Sequence, residues 1–193
     1  MFDFDPLLIF NHFYPQDTPL KRLLLKHSIQ VRDKAIQIIE LNPDLNEHRK
    51  TIEIGSLLHD IGVAQCHAPA VLCNGDKHYL QHGIIGAAML RNYALEHDLD
   101  LEPFARICER HMGAGISKDE IIAQGLPLPH QDFLPISIPE IIVCIADKFF
   151  SKSGEMKEKS FHETRNSLVR FGSGPLARFD EMCSTLNLND KLG

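Results

Sequence analysis

Apolar residues recur along this chain at intervals of three and four, and no stretch sustains an alternation of period two. That spacing predicts an all-α protein. Thr18 before Pro19 reads as an N-cap with proline at the first helical position. The helix that follows sets Leu20, Leu23, Leu24, His27, Val31, Ala35 and Ile38 on one broad face. A second helix is expected from about Glu47 to Ile61, and a loop from Val63 to Asp76. A third, from about Lys77 to His97, holds His82 in line with Ile85, Gly86, Met89 and Tyr93. A fourth begins near Pro103, carries Phe104, Ile107, Cys108 and His111, and ends at Gly113. Three Ser-x-x-Glu capping boxes follow: Ser117 with Glu120, Ser137 with Glu140, and Ser160 with Glu163. They start a short helix, a buried one running through Asp147, and an amphipathic one reaching Phe171. Gly172 and Gly174 break the chain before a last helix beginning near Pro175.

A chain of 193 residues suits one domain with a substantial core. The core is expected at about 20–150, with a C-terminal helical extension over about 151–193. The longest uninterrupted apolar run, Ile141 to Ala146, is far short of the roughly 20 residues of a membrane span. The start Met1-Phe2-Asp3-Phe4-Asp5 is acidic, unlike a secretory signal, so the expected location is cytoplasmic with no membrane partner. A formal charge of −6 argues against stable nonspecific nucleic-acid binding, which needs a basic stripe. It leaves room for a small phosphorylated ligand, because metal ions can supply local positive charge. The five cysteines form no C-x-x-C pair and read as buried free thiols.

Against this background one dipeptide stands out. His59 and Asp60 follow the apolar end of a core helix, in Ser56-Leu57-Leu58-His59-Asp60-Ile61-Gly62. Consecutive residues cannot share one stripe of a regular helix, where spatial neighbours are three or four apart. At a helix end, with Gly62 freeing the backbone, both can face one ion. Charged residues are rarely buried without a partner. A cation between the imidazole and the carboxylate supplies one.

Other metal-capable residues fall in order around the doublet. His27 lies upstream, His82 and His111 lie on later helices, and Asp147 follows the run Ile141 to Ala146. The order His, His-Asp, His, His, Asp resembles the HD-domain superfamily of metal-dependent phosphohydrolases. Leu58-His59-Asp60-Ile61-Gly62 is similar to the signature of its HDIG branch. Arg110-His111-Met112-Gly113-Ala114-Gly115-Ile116 and Ala146-Asp147-Lys148 are similar to small predicted hydrolases of that superfamily.

The resemblance implies a helical bundle with one or two divalent ions of Fe, Mn, Co, Ni or Zn. His27, His59, Asp60 and Asp147 would hold one ion, and Asp60 would bridge to a second completed by His82 and His111. It implies a hydrolase acting on a phosphate ester, its substrate a small phosphorylated metabolite or nucleotide, with Asp60 as the catalytic residue assisting the metals. His78 lies four residues before His82, so either is able to point inward; Gly83 and Gly86 follow His82 as in the family, leaving His78 as a substrate contact. Arg110, Lys148 and Lys152 flank the ligands as candidate phosphate contacts, although Lys152 reads equally well as a surface cation. Val63 departs from two branches of the superfamily. It replaces the lysine that follows the motif in cyclic-dinucleotide phosphodiesterases, and the glutamate of nucleotidase-type members. Two alternatives use the same resemblance: an HD-type di-iron oxygenase, and a non-catalytic regulatory module.

Overall fold

The computed structural model describes residues 4–188, so the outermost ends of the expected domain lie outside the described residues. Helix α1 (Pro6–Phe13) opens the chain, capped by Asp5, whose carboxylate accepts from Leu7 N–H at 2.9 Å. Helix α2 (Pro19–Glu40) begins as expected, with Thr18 Oγ1 accepting from Lys21 N–H at 3.1 Å. Its buried stripe is Leu24, His27, Ser28, Val31, Lys34, Ala35, Ile38 and Ile39, so a histidine occupies a core position. Helix α3 (Arg49–Leu58) is shorter than its apolar pattern suggested, and His59 is its C-cap.

The segment expected as a loop contains a small ribbon, β1 (His67–Ala68) antiparallel to β2 (Cys73–Asn74), with Ala68 opposite Cys73. Strands of two residues are too short to express a period. Helix α4 (His82–His97) starts five residues later than expected, because Tyr79–Gln81 forms a 3₁₀ turn first. Helix α5 (Glu102–Arg110) is followed by α6 (Lys118–Gln124), α7 (Ile138–Lys148), α8 (Phe161–Val169) and α9 (Ser173–Thr185). All three Ser-x-x-Glu capping boxes close at the starts of α6, α7 and α8. Helix α9 begins at Ser173, so Gly174 lies inside it.

Two large apolar clusters form the interior. One gathers α1, α3, α4 and α5 around Leu24, Leu58, Leu90 and Phe104. The other gathers α2, α7, α8 and α9 around Val31, Ile145, Phe149 and Phe179. Val31 lies four residues after His27 and Leu24 three before it, so α2 passes from one cluster to the other at His27. The helix ends meet there. All five cysteines are free and buried.

Candidate metal centre

Four imidazoles and two carboxylates converge where the clusters meet. His59 caps α3, His82 is the first residue of α4, His111 caps α5, and Asp147 is the penultimate residue of α7. His27 comes from the middle of α2. Helix ends suit this task because the chain turns there, which frees the doublet from the roughly 100° between successive helical residues. Tyr14 fixes the turn after the doublet. Its hydroxyl donates to the Ile61 carbonyl at 2.8 Å and accepts from Ala64 N–H at 3.3 Å.

Three histidines are oriented by backbone carbonyls. His59 Nδ1–H donates to Ser56 O at 2.7 Å, His82 Nδ1–H to Tyr79 O at 2.6 Å, and His111 Nδ1–H to Cys108 O at 2.8 Å. A carbonyl only accepts, so in the neutral rings the proton sits on Nδ1 and each Nε2 lone pair points inward. His82 Nε2 and His111 Nε2 then lie 3.1 Å apart. Two lone pairs facing at that distance repel unless a cation lies beside them.

Asp60 is 2 % exposed, and its two oxygens divide the histidines between them. Oδ1 lies 3.3 Å from His82 Nε2 and 3.4 Å from His111 Nε2. Oδ2 lies 3.4 Å from His27 Nε2 and 3.3 Å from His59 Nε2. Asp147 Oδ1 lies 2.9 Å from His27 Nε2 and 3.6 Å from His59 Nε2. Ligands about 2.1 Å from a tetrahedral ion are about 3.4 Å from one another, which is the spacing seen here. Neither oxygen of Asp60 nor His59 Nε2 has an aligned hydrogen bond, although all are buried. Buried polar atoms left in this way are rare. The donor set fits divalent transition ions, and His27, His59 and Asp147 form one candidate group and His59, Asp60 and His111 another.

The charges agree with a site built for cations. Burial works against ionising Asp60, yet His59 and Lys152 outweigh it and hold the carboxyl well below its usual range. Burial likewise opposes ionisation of Asp147, and Lys148 and Lys152 overcome it. For His59 burial acts downward, but Asp60 and Asp147 prevail and raise it to about 9. Burial dominates at His111 and pushes it down to about 3.

Of the expected substrate contacts, Lys148 and Lys152 lie at the site. Lys148 Nζ is 2.6 Å from Asp147 Oδ2, and Lys152 Nζ is 2.8 Å from Asp60 Oδ2. Lys152 is not a surface cation, since its side chain is 11 % exposed. Arg110 is not brought to the site: its guanidinium pairs with Glu140 at 3.0 Å, at the opposite end of α7 from Asp147. His78 is also elsewhere. It is exposed, and its Nδ1 accepts from Leu80 N–H at 3.2 Å, capping the 3₁₀ turn.

A cavity of about 580 Å³ opens onto His82, His111 and Asp147, with Lys148 and Lys152 in its wall. Sequence reasoning missed Tyr79, Arg170 and Phe171, which also line it. Tyr79 packs against His82 with ring centroids 4.6 Å apart and the planes tilted by 38°, and burial pushes its phenol up to about 12, leaving a hydrogen-bond donor. Its position three residues before His82 was the available signal.

The HD domain family profile matches residues 24–151. The chain belongs to the HD domain family. That family is of the metal-dependent hydrolase type, and the His/Asp cluster of this chain offers groups that could hold a metal ion. Uncharacterized protein MJ0778 of Methanocaldococcus jannaschii is 41% identical over 126 residues, 64% of each chain. The tRNA (cytidine(56)-2'-O)-methyltransferase of Thermoplasma volcanium is 30% identical over 135 residues, 69% of this chain and 33% of that protein. Its namesake from Picrophilus torridus is 33% identical over 129 residues, 67% of this chain and 32% of that protein. The HD chain therefore spans about a third of each methyltransferase, whose name describes a larger protein. No solved structure gives a significant match.

Proposed function

We propose that this HD-domain protein is a phosphohydrolase that cleaves a phosphate ester of a small metabolite or nucleotide at a binuclear centre. The observation that carries this reading is the division of Asp60, with Oδ1 facing His82 and His111 and Oδ2 facing His27 and His59. His27, His59, Asp60 and Asp147 would hold one ion, and Asp60, His82 and His111 a second. Such ions, when bound, polarise a phosphoryl oxygen and make hydroxide available near neutral pH.

The chain's own residues supply the rest. Lys148 and Lys152 bring two ammonium groups to the cavity wall and attract a phosphate dianion in a protein whose formal charge is −6. Tyr79 donates a hydrogen bond from the same wall. Backbone carbonyls hold His59, His82 and His111 in one tautomer, so their proton-free nitrogens stay directed inward. Asp60 would accept a hydrogen bond from the attacking water and orient it. The water oxygen bonds to phosphorus, the P–O bond to the alcohol breaks, and the alcohol leaves with a proton from the water.

The test is release of inorganic phosphate from a panel of phosphomonoesters with divalent metal supplied. Chelator should abolish it, and Asp60→Ala should lower turnover by at least about 10²-fold, as for loss of a principal electrostatic group. Equal turnover in Asp60→Ala, or oxygen uptake in place of phosphate release, would overturn the reading.

A further inference from the structure

Part of the cavity wall comes from outside the family match. The HD domain profile ends at residue 151. Arg170, Phe171 and Pro175 nevertheless line the same cavity as His82, His111 and Asp147. Arg170 is the C-cap of α8, and Phe171 follows it in the turn to α9. The Arg170 guanidinium lies over the Phe171 ring, 4.7 Å from its centroid. Phe171 is 51 % exposed, although it lies beside a cavity. An aromatic ring left this open beside a site has one face available to a ligand.

The charges in this wall are uneven. Glu120, the other acidic side chain lining the cavity besides Asp147, is taken up by Arg178 at 2.8 Å. Asp147 pairs with Lys148. Arg170 pairs with no carboxylate among the described residues. Burial holds the nearby Lys159 below its usual value, and the charges of Lys148 and Arg170 add to that effect. Leu80, Met112, Ile116 and Leu126 give the wall an apolar part, beside the amide of Gln124. An uncommitted guanidinium stacked on an aromatic ring, beside flexible and branched aliphatic groups, is suited to a flat, electron-rich body.

We propose that Arg170 and Phe171 form the leaving-group subsite of this centre. The subsite takes a planar ring, so the substrate class is a phosphate ester whose alcohol carries an aromatic or heteroaromatic group. The leaving-group role rests on the phosphohydrolase reading, whereas binding of the ring does not. In the reaction the ring stays on the alcohol, which departs with the water's proton when the P–O bond breaks. The C-terminal helices thereby set specificity for chemistry carried by the HD core.

The experiment compares adenosine 5′-monophosphate with ribose 5-phosphate, which share phosphate and sugar and differ in the base. Binding of each to the manganese-loaded full chain is measured by calorimetry, alongside phosphate release. Wild type should bind the nucleotide about tenfold more tightly, in line with base stacking on an aromatic side chain. Phe171→Ala and Arg170→Ala should each bring the two affinities to within about threefold of one another, with unchanged metal content and thermal midpoint. Phe171→Tyr, which keeps the ring, should retain the preference. No preference in wild type, or a preference that survives Phe171→Ala, would overturn the subsite. A Phe171-dependent preference without phosphate release would uphold the subsite and remove the phosphohydrolase reading. Phosphate release from both compounds without any binding preference would do the reverse.

Discussion

Glu140 is 3 % exposed, yet its carboxylate is one of the most heavily used groups in the molecule. It accepts from Arg106 Nε at 3.1 Å, Arg110 at 3.0 Å and Ile136 N–H at 2.8 Å, and it closes the capping box of α7. Burial opposes its ionisation, but the Ile136 amide and Arg110 prevail and hold the carboxyl below its usual value. A depressed carboxyl contributes stability above its unfolded value of about 4.3, and the contribution is lost as pH falls through the folded value. Glu140→Gln should therefore cost about 2–4 kcal/mol at pH 7 in urea unfolding, by leaving two guanidinium groups poorly paired. The difference from wild type should shrink below about pH 4. A gap of the same size at pH 7 and pH 3 would contradict this role. The same ion pair holds Arg110 away from the metal centre. Successive residues of a helix point about 100° apart, so standing next to His111 in sequence directs Arg110 elsewhere in space. His78 and His82 share no helical face, because α4 begins at His82.

At the level of the elements, the centre depends on where helices stop and how closely they approach. Gly62 follows the doublet, and a Cβ there would come within 2.2 Å of His82 O and 2.4 Å of Gly86 N. Only glycine lets the turn after α3 lie against the start of α4, which carries His82. Gly62→Ala forces that contact apart. It should destabilise by about 1–3 kcal/mol, as overpacking does, and weaken metal retention by moving His82 away from Asp60. Thermal unfolding together with metal content checks both effects, and a variant matching wild type in each would remove this account of the turn. The capping boxes and the Thr18-Pro19 start were legible because they are local chemistry. Helix α1 was not, because Leu7, Leu8, Ile9 and Phe10 form a continuous apolar run without a period. Its burial pattern is tertiary: Ile9 and Phe10 are buried, while Leu8 is 65 % exposed.

Across the whole molecule, the six histidine and aspartate positions were legible as a set, since their order carries the family resemblance and each falls on a buried helix face or end. The wall at Arg170 and Phe171 was not, because a turn between two C-terminal helices gives no sequence sign of which cavity it faces. Among the described residues no helix is long and apolar enough to cross a membrane. The net charge is −6, yet Lys148, Lys152 and Arg170 gather at one cavity. The proposed function rests on two ions, one held on each side of Asp60. Metal content per chain, measured after supplying manganese or iron and removing the excess, tests that claim most directly. Wild type should hold about two ions and His111→Ala about one, since His111 serves only the Oδ1 side of Asp60. A wild type that never exceeds one ion, or a His111→Ala variant that keeps two, would contradict the binuclear centre.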